Sequence, residues 1–164
     1  MTENASVQPL RAKVLTVSDG VFHGVREDRS GAALVELLES NGWSVIEHRV
    51  TSDGRIEVAA ALLSLASGFA GLVVTTGGTG FGPRDLTPEG TGDVLERKAP
   101  GVAEAMRLVN PKLGRLSRGV AGTIGQALVL NTPGSPKGCV ECLEAVLDMV
   151  PHALSLMTGE TTIH

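Results

Sequence analysis

The stretch GLVVTTGGTGFGPRDLTP, residues 71–88, contains a strand, a loop and the start of a helix in direct succession. Residues 71–76 have the length of a buried strand, four glycines follow, and Thr87-Pro88 is typical of a helix start with Thr87 as the cap. Similar apolar runs occur at 12–18 and 43–50, and residues 119–131 contain two short strands joined near Gly125-Gln126. Because near-continuous apolar strands separated by helices are typical of a parallel sheet covered on both faces, the sequence predicts an α/β fold.

Further helices are predicted around these strands. They cover residues 30–42, 53–68, 101–110 and 135–157. Ser30 and Asp53 occupy cap positions, Gly42 follows the first of these helices, and Pro151 breaks or kinks the last. Residues 19–29 are predicted to form a polar loop. Ligands bind beyond the carboxyl ends of parallel strands, so the loops after the first three strands are expected to share one ligand-binding edge.

Length and composition predict one domain with no role in nucleic-acid or membrane binding. The 164 residues carry a net charge of −4, no Tyr and only 2% aromatic residues, so they lack both the basic surface and the stacking platforms that nucleic acids need. The N-terminus has no signal-peptide pattern, and the run VAAALLSLAS is too short to cross a bilayer. We expect a cytoplasmic protein with a disordered tail at 1–10, one domain at 11–158 and a C-terminal tail at 159–164.

The pair Cys139 and Cys142 forms a lone C-x-x-C motif, for which zinc and redox functions are the usual candidates. A structural zinc site needs four ligands, and no suitable set lies near these cysteines. Apolar residues at helical spacing surround the motif, so both thiols are interpreted as small buried hydrophobic groups, with a thioredoxin-like pair as the alternative. The four scattered histidines are assigned no chemistry.

The glycine-rich loop after residue 76 does not match the common phosphate-binding motifs. Pro83 follows Gly82 and the loop has no lysine, which excludes a Walker A loop, and the next helix starts too late for a dinucleotide fingerprint. Glycine amides that are free to turn inward can form an anion-binding nest, with threonine hydroxyls beside them. The candidate phosphate-binding residues are Thr76, Gly77, Gly78, Thr79 and Gly80; a purely steric glycine loop is the alternative.

A carboxylate beside such a loop requires an explanation. Two unit charges ~4 Å apart at an effective dielectric constant of ~20 repel by about 4 kcal/mol, so Asp85 alone would oppose an anionic ligand. A divalent cation reverses this effect, because Mg²⁺ is commonly held by one or two carboxylates together with phosphate oxygens. Asp85 and Asp53 are therefore the candidate metal ligands, Mg²⁺ or Mn²⁺ is the expected ion, and helix capping is the alternative role for Asp53.

Several motifs together resemble the molybdenum cofactor biosynthesis family that includes molybdopterin adenylyltransferases and the N-terminal domain of gephyrin. The similar segments are TTGGTGFGPRDLTPEGT at 75–91, TVSDG at 16–20, LSRGVAG at 116–122 and LNTPGSPKGCVECLEAVLDMVPHAL at 130–154. The resemblance extends over residues 11–158, with small departures at Leu86, Gly90 and Thr132.

The resemblance implies a three-layer α/β fold, a homotrimer, and transfer of AMP from Mg-ATP to the terminal phosphate of molybdopterin. It implies that Asp53 and Asp85 are the catalytic and metal-binding residues and that the loop at 76–80 binds the nucleotide phosphates. Ser18 and Asp19 match the pocket without a defined role. The implied molybdopterin-binding residues are Ser117, Arg118, Gly119, Asn131, Pro133, Gly134 and Lys137. Transient contact with a molybdotransferase is also expected, and a non-catalytic molybdopterin carrier of the same fold is the alternative function.

Overall fold

Six strands form one mixed sheet in the computed structural model, which describes residues 9–160 of the chain. The strands are β1 (Arg11–Val17), β2 (Ser44–Thr51), β3 (Gly71–Thr76), β4 (Arg97–Lys98), β5 (Ala121–Ile124) and β6 (Ala127–Thr132). Their order across the sheet is β2-β1-β3-β6-β5-β4. The first four in that order are parallel, whereas β5 pairs antiparallel with β6, and β4 pairs antiparallel with β5 at the edge.

Helices cover both faces of this sheet. Within the described residues they are α1 (Asp19–Phe22), α2 (Arg29–Ser40), α3 (Arg55–Ala66), α4 (Thr87–Val94), α5 (Pro100–Leu108), α6 (Pro111–Gly114), α7 (Pro136–Leu147) and α8 (Val150–Met157). Residues of α2, α5, α7 and α8 share one core cluster with the sheet, and residues of α3 share the other, against which Val94 of α4 packs. The predicted three-layer α/β fold is confirmed.

Side chains of the central strands β1, β3 and β6 supply both cores. In β1, Val14 belongs to the cluster with α2 and α7, while the next residue, Leu15, belongs to the cluster with α3. Every residue of β3 is buried, as a central strand between two helical layers requires. Burying both faces of the central strands fixes the register, because a slip by one residue would exchange the two sets of side chains.

The structure corrects three predicted helix caps. Asp28, not Ser30, caps α2 and accepts a hydrogen bond from the Gly31 amide, and Ser30 lies inside the helix. Gly54 precedes α3 without any side-chain cap bond. Its φ of 138° is a conformation that favours glycine. The Asp53 carboxylate accepts a hydrogen bond from the Asp19 amide instead of one from α3, so the cap role predicted for Asp53 is wrong. Thr87 is the first residue of α4 and donates to the Gly77 carbonyl instead of capping.

The structure also tests the predicted helix ends and loops. Gly42 follows α2 with a positive φ of 82°, and the last predicted helix is broken before Pro151, between α7 and α8. The segment predicted as loop at 19–29 contains the short helix α1, which Ser18 caps through the Val21 amide. The short elements β4 and α6 were not predicted. Residues 1–8 and 161–164 of the predicted tails lie outside the described residues, and within 9–160 no helix has the length and apolar character to span a membrane.

Candidate active site at the carboxyl ends of the strands

The loop between β3 and α4 turns sharply at two glycines. Gly77 and Gly78 have φ values of 98° and 68°, a conformation that favours glycine. A Cβ atom on Gly77 would clash with the Val17 carbonyl oxygen, and one on Gly78 would clash with Thr87 Oγ1. Thr87 closes the turn: its amide donates to the Gly78 carbonyl at 3.0 Å and its hydroxyl to the Gly77 carbonyl at 2.9 Å. Both positions therefore require glycine.

This turn leaves consecutive backbone donors free. The amides of Gly78, Thr79 and Gly80 donate no hydrogen bond to any residue within 9–160, whereas the preceding Gly77 amide is bonded to the Thr132 carbonyl. Successive free amides on one loop form an anion-binding concavity. The loop therefore has the donors that the sequence predicted for a phosphate group.

Two aspartates from neighbouring loops bind each other's backbone. The Asp19 amide donates to Asp53 Oδ2 at 2.8 Å, and the Asp53 amide donates to Asp19 Oδ1 at 3.1 Å. Arg84 joins both to the glycine loop, because its guanidinium donates to the two Asp19 carboxylate oxygens at 2.6 and 3.0 Å and to the Asp53 carbonyl at 2.9 Å. These hydrogen bonds thus connect the segments after β1, β2 and β3 around Asp53.

The electrostatic environments of the two aspartates differ. The hydrogen bonds from Arg84 lower the pKa of the half-buried Asp19 carboxyl. Burial raises the pKa of Asp53, and the charges of Asp19 and Asp85 raise it further, against the lowering effects of the Asp19 amide and Arg84. A carboxylate surrounded by other carboxylates is stabilised by a nearby cation. Asp53 is therefore the acid in this group that would gain most from a bound metal ion.

Asp85 lies over the glycines of its own loop. Its Oδ2 accepts a hydrogen bond from the Gly82 amide at 2.9 Å, and a Cβ atom on Gly80 would lie 2.9 Å from the same oxygen. No hydrogen bond within residues 9–160 occupies Asp85 Oδ1 or Asp53 Oδ1. Each carboxylate therefore keeps one oxygen available for a ligand.

The acids fit a cation that brings its own further ligands. Among residues 9–160, no three Asp, Glu, His or Cys side chains converge as a ready metal site. Mg²⁺ does not need such a cage, since one or two carboxylates, waters and substrate phosphates complete its coordination. Asp53 and Asp85 are thus able to hold Mg²⁺ only together with a phosphate ligand.

Two cavities meet at the glycine loop. The first, of about 360 Å³, has apolar walls from α5, α6 and the segment after them, including Met106, Val109, Leu113 and Leu116. The second, of about 560 Å³, is lined by polar and charged residues. These include Ser18, Arg26, Glu27, Asp28, Arg29 and Asp53. Three residues, Gly78, Asp85 and Gly134, line both cavities.

The structure brings most of the predicted site residues to these cavities. Those on the apolar cavity are Gly78, Thr79, Gly80, Ser117, Gly119, Asn131, Pro133 and Gly134. Thr76, Gly77 and Asp53 line the polar cavity. The assignment of these residues to ligands remains a prediction.

Two predicted molybdopterin-binding residues do not line either cavity. Arg118 directs its guanidinium to the glycine loop and to Glu89, and Lys137 is exposed and lies 3.7 Å from Glu141. A third, Asn131, reaches the apolar cavity but uses its side chain internally: its amide donates to Thr75 and Thr91, and its oxygen accepts from the Val120 amide. Its side chain therefore ties β6 to β3, α4 and the segment before β5.

Sequence reasoning missed Arg84 and the basic residues of the cavities. Arg84 follows Pro83 in the loop, and its direct neighbour Asp85 was singled out only because its charge conflicts with an anion site. Arg26 lines the polar cavity and Arg107 lines the apolar one, where it donates to the Gly119 carbonyl at 2.8 Å. Neither Arg26 nor Arg107 belongs to a short sequence motif, so only the structure shows that they line the cavities.

The cysteine pair has no catalytic environment. Cys139 is fully buried in the core beside α2, and burial raises its pKa to about 11. Cys142 is half-buried on the wall of the apolar cavity, and burial raises its pKa as well. Because the thiolate is the reactive form, both groups are unreactive thiols at neutral pH, which agrees with their interpretation as hydrophobic groups.

The fold and site define an α/β protein with a glycine anion loop and flanking acids at the carboxyl ends of its parallel strands. Over residues 13–152 the chain matches the family described as "Probable molybdopterin binding domain". It is 38% identical over 159 residues to the molybdopterin adenylyltransferase of Helicobacter pylori J99, with 93% of this chain and 90% of that protein covered. The chain therefore belongs to the molybdopterin-binding domain family of molybdenum cofactor biosynthesis, as its motifs predicted.

Two further relatives extend this similarity. The molybdopterin biosynthesis enzyme MoaB of Thermus thermophilus is a solved structure with a TM-score of 0.85 and 46% identity, covering 92% of this chain and 97% of that one. The molybdenum cofactor biosynthesis bifunctional protein of Chlorobaculum tepidum is 33% identical over 153 residues, which are 92% of this chain and 49% of that protein. The same domain thus occurs alone and as part of a longer chain.

Proposed function

We propose that this chain transfers the AMP group of ATP to the terminal phosphate of molybdopterin, giving adenylylated molybdopterin and pyrophosphate. The observation that carries the proposal is the junction of an apolar and a polar cavity at Gly78, Asp85 and Gly134. A group transfer requires two substrates to reach one point, and this junction has free amide donors beside a carboxylate. The kinship with the H. pylori adenylyltransferase supports the same activity.

The walls of the cavities suggest which substrate each one takes. The apolar cavity suits the flat pterin ring system of molybdopterin, and Ser117, Gly119 and Asn131 are among the residues that line it. The polar cavity contains Asp53, Ser18 and Arg26 and suits the phosphates of a nucleotide with their cation. Each substrate then reaches the glycine loop from its own side.

The transfer itself is a displacement at the α-phosphorus of ATP. A terminal phosphate oxygen of molybdopterin forms a bond to that phosphorus, and the bond to the bridging oxygen of the β-phosphate breaks, so that pyrophosphate leaves. A phosphate monoester is largely ionised near neutral pH, so no protein base has to remove a proton. The free amides of Gly78, Thr79 and Gly80 would stabilise the charge that develops on the transferred phosphoryl group, and the two cavities would align the reactants.

We assign Mg²⁺, which Mn²⁺ can replace, to Asp53 and Asp85. When bound with the nucleotide, the ion supplies positive charge to the phosphate oxygens in a reaction of this type. Asp85 belongs to both cavities and Asp53 to the polar one, so both carboxylates line the cavity that we assign to the nucleotide.

We also propose that the protein works in the cytoplasm as a homotrimer that passes its product to a molybdotransferase. The C. tepidum relative, in which this domain accounts for about half of a bifunctional protein, supports a second activity close to the first. Sedimentation equilibrium tests the trimer, and a molecular mass of one or two chains would contradict it.

The experiment that tests the activity uses the complete chain with molybdopterin, ATP and Mg²⁺. We expect pyrophosphate release at least about tenfold above a control without molybdopterin, with adenylylated molybdopterin as the co-product. Binding of molybdopterin without any release of pyrophosphate would contradict the proposal and identify the chain as a non-catalytic carrier.

A further inference from the structure

The Arg118 guanidinium closes the loop that presents Asp85. Its Nε donates to the Gly80 carbonyl at 2.8 Å, and its Nη2 donates to the Asp85 carbonyl at 2.6 Å. Its backbone amide donates to the Thr79 carbonyl at 2.9 Å. One residue therefore holds the start and the end of the segment 80–85 at a fixed separation.

A carboxylate on the adjoining helix orients this guanidinium. Nη1 lies 2.5 and 3.2 Å from the two carboxylate oxygens of Glu89, in the first turn of α4, and the side chains of Arg118 and Glu89 are 32% and 27% exposed. The planar guanidinium can satisfy several acceptors in one geometry, which a lysine ammonium cannot do. Its hydrogen bonds thus all go to the loop and to α4, and Arg118 lines neither cavity.

The neighbours of Arg118 in sequence connect the loop to the other cavity. Ser117 and Gly119 both line the apolar cavity. The side chain between them therefore links one wall of that cavity to the carbonyl of Asp85. A displacement of the 117–119 segment would therefore act on the backbone of the loop that carries Asp85, through the hydrogen bonds to the Gly80 and Asp85 carbonyls.

We infer that Arg118 is a positioning residue: it contacts neither substrate and acts on adenylyl transfer by fixing the Asp85 loop relative to the wall of the apolar cavity. This inference rests on the proposed function and differs from the direct molybdopterin contact that the family motif implies. Glu89 supports the same function, because it holds the Arg118 guanidinium in the plane in which it reaches the carbonyl groups of Gly80 and Asp85.

The decisive experiment combines Arg118→Gln with Asp85→Asn. If Arg118 acts through Asp85, Arg118→Gln alone should lower the single-turnover rate of adenylylation by about 10–100-fold, since small misplacements of a reacting group have effects of this size. The molybdopterin Kd should change by less than about threefold. In the Asp85→Asn background the same substitution should cause less than about a threefold further loss, because residues that act as a unit are not additive.

A direct ligand role gives the opposite pattern. A molybdopterin Kd weakened by about tenfold or more, with an unchanged chemical step, would overturn the inference, as would fully additive losses in the double variant. Arg118→Lys retains the charge but not the planar guanidinium, so its single-turnover rate should be close to that of Arg118→Gln. Full rescue by lysine would also overturn the inference.

A matched control uses an ion pair to the same helix, α4. Arg55 forms a bidentate ion pair with Asp93 of α4, at 2.6 and 2.7 Å, and has no hydrogen bond to the glycine loop. Arg55→Gln therefore removes a comparable pair and should leave the rate within about twofold, since exposed ion pairs contribute little.

A second measurement does not depend on activity. The Gly82 amide donates a hydrogen bond to the Asp85 carboxylate. Its hydrogen exchange should accelerate about fivefold or more in Arg118→Gln and remain unchanged in Arg55→Gln. Unchanged exchange in Arg118→Gln would overturn the inference. If the wild-type chain shows no adenylyl transfer, the proposed function fails, and this exchange measurement still decides whether Arg118 positions the loop.

Discussion

The apolar and the polar cavity share three residues but have opposite walls. Met106, Val109, Leu113 and Leu116 line the apolar cavity, whereas Arg26, Glu27, Asp28, Arg29 and Asp53 line the polar one. An apolar wall favours a heterocycle and excludes a hydrated cation, while a charged wall does the reverse. The difference supports our proposal that the two substrates bind in separate cavities and meet at the glycine loop.

The secondary structure around the two cavities explains this separation. The polar wall comes mainly from the segment between β1 and α2, which contributes Arg26, Glu27 and Asp28, and from Asp53, two residues after β2. The apolar wall comes from α5 and α6 and from the segment before β5, which lie over the other half of the sheet edge. The two walls thus come from separate parts of the chain with the β3–α4 loop between them, and we propose that each wall recognises one substrate.

Removal of the divalent cation should have the largest effect and should act on the polar side alone. We expect adenylylation to disappear in excess EDTA and to return with Mg²⁺ or Mn²⁺, while molybdopterin binding changes by less than about threefold. Pyrophosphate release and fluorescence titration of molybdopterin measure the two effects. Full activity in EDTA would remove the role that we assign to Asp53 and Asp85.

A negative charge on the apolar wall should have the complementary effect. Leu116 lines that cavity and is 56% exposed, so Leu116→Glu should fold. A carboxylate about 7 Å from an anionic ligand, at an effective dielectric constant of ~20, costs about 2 kcal/mol, or roughly 30-fold in affinity. We therefore expect molybdopterin affinity to fall about 30-fold and the KM for ATP to change less than about threefold.

The control for this substitution is Leu63→Glu, because Leu63 is 51% exposed on α3 and lines neither cavity. Its affinities for both substrates should be those of the wild type. Equal weakening of ATP and molybdopterin in Leu116→Glu would show that the two cavities do not separate the ligands.

The smallest effect is expected at the cysteine pair behind the apolar wall. Replacing Cys139 by Ala and Cys142 by Val should leave adenylylation within a few-fold and lower the free energy of unfolding by about 1–3 kcal/mol through altered packing. Because the pKa of Cys139 is raised to about 11 and its side chain is fully buried, its thiol stays protonated at pH 8 and should not react with iodoacetamide while the protein is folded. Lost activity at unchanged stability would reveal a chemical role for the pair.

The strands and long helices were predictable from sequence because their signals are local. Residues 71–74 are apolar and two threonines follow them, and the central position of β3 buries all six, so pattern and environment agree. The caps were less predictable, since Asp28 and Ser30 are both good caps and only the structure shows that Asp28 accepts the Gly31 amide.

The candidate site was predictable where the charge of a residue conflicted with the function predicted for its neighbours. Asp85 beside an anion loop and Asp53 at a strand end were identified by their charge. The contacts of Arg118 could not be predicted, because its acceptors Gly80 and Asp85 lie 38 and 33 residues away in the chain. The division into two cavities depends in the same way on segments that are distant in sequence.

Asp85 is the residue at which the two cavities and the proposed chemistry coincide, so its variant tests the central claim most directly. The measurement is the molybdopterin Kd together with the single-turnover rate of adenylylation for Asp85→Asn, which keeps the size of the side chain and removes its charge. We predict an unchanged Kd and a rate lower by about 10²–10³, the effect of losing one well-placed electrostatic group, with a similar result for Asp53→Asn. A near-wild-type rate in Asp85→Asn, or a lost molybdopterin affinity with an unchanged rate, would contradict the account.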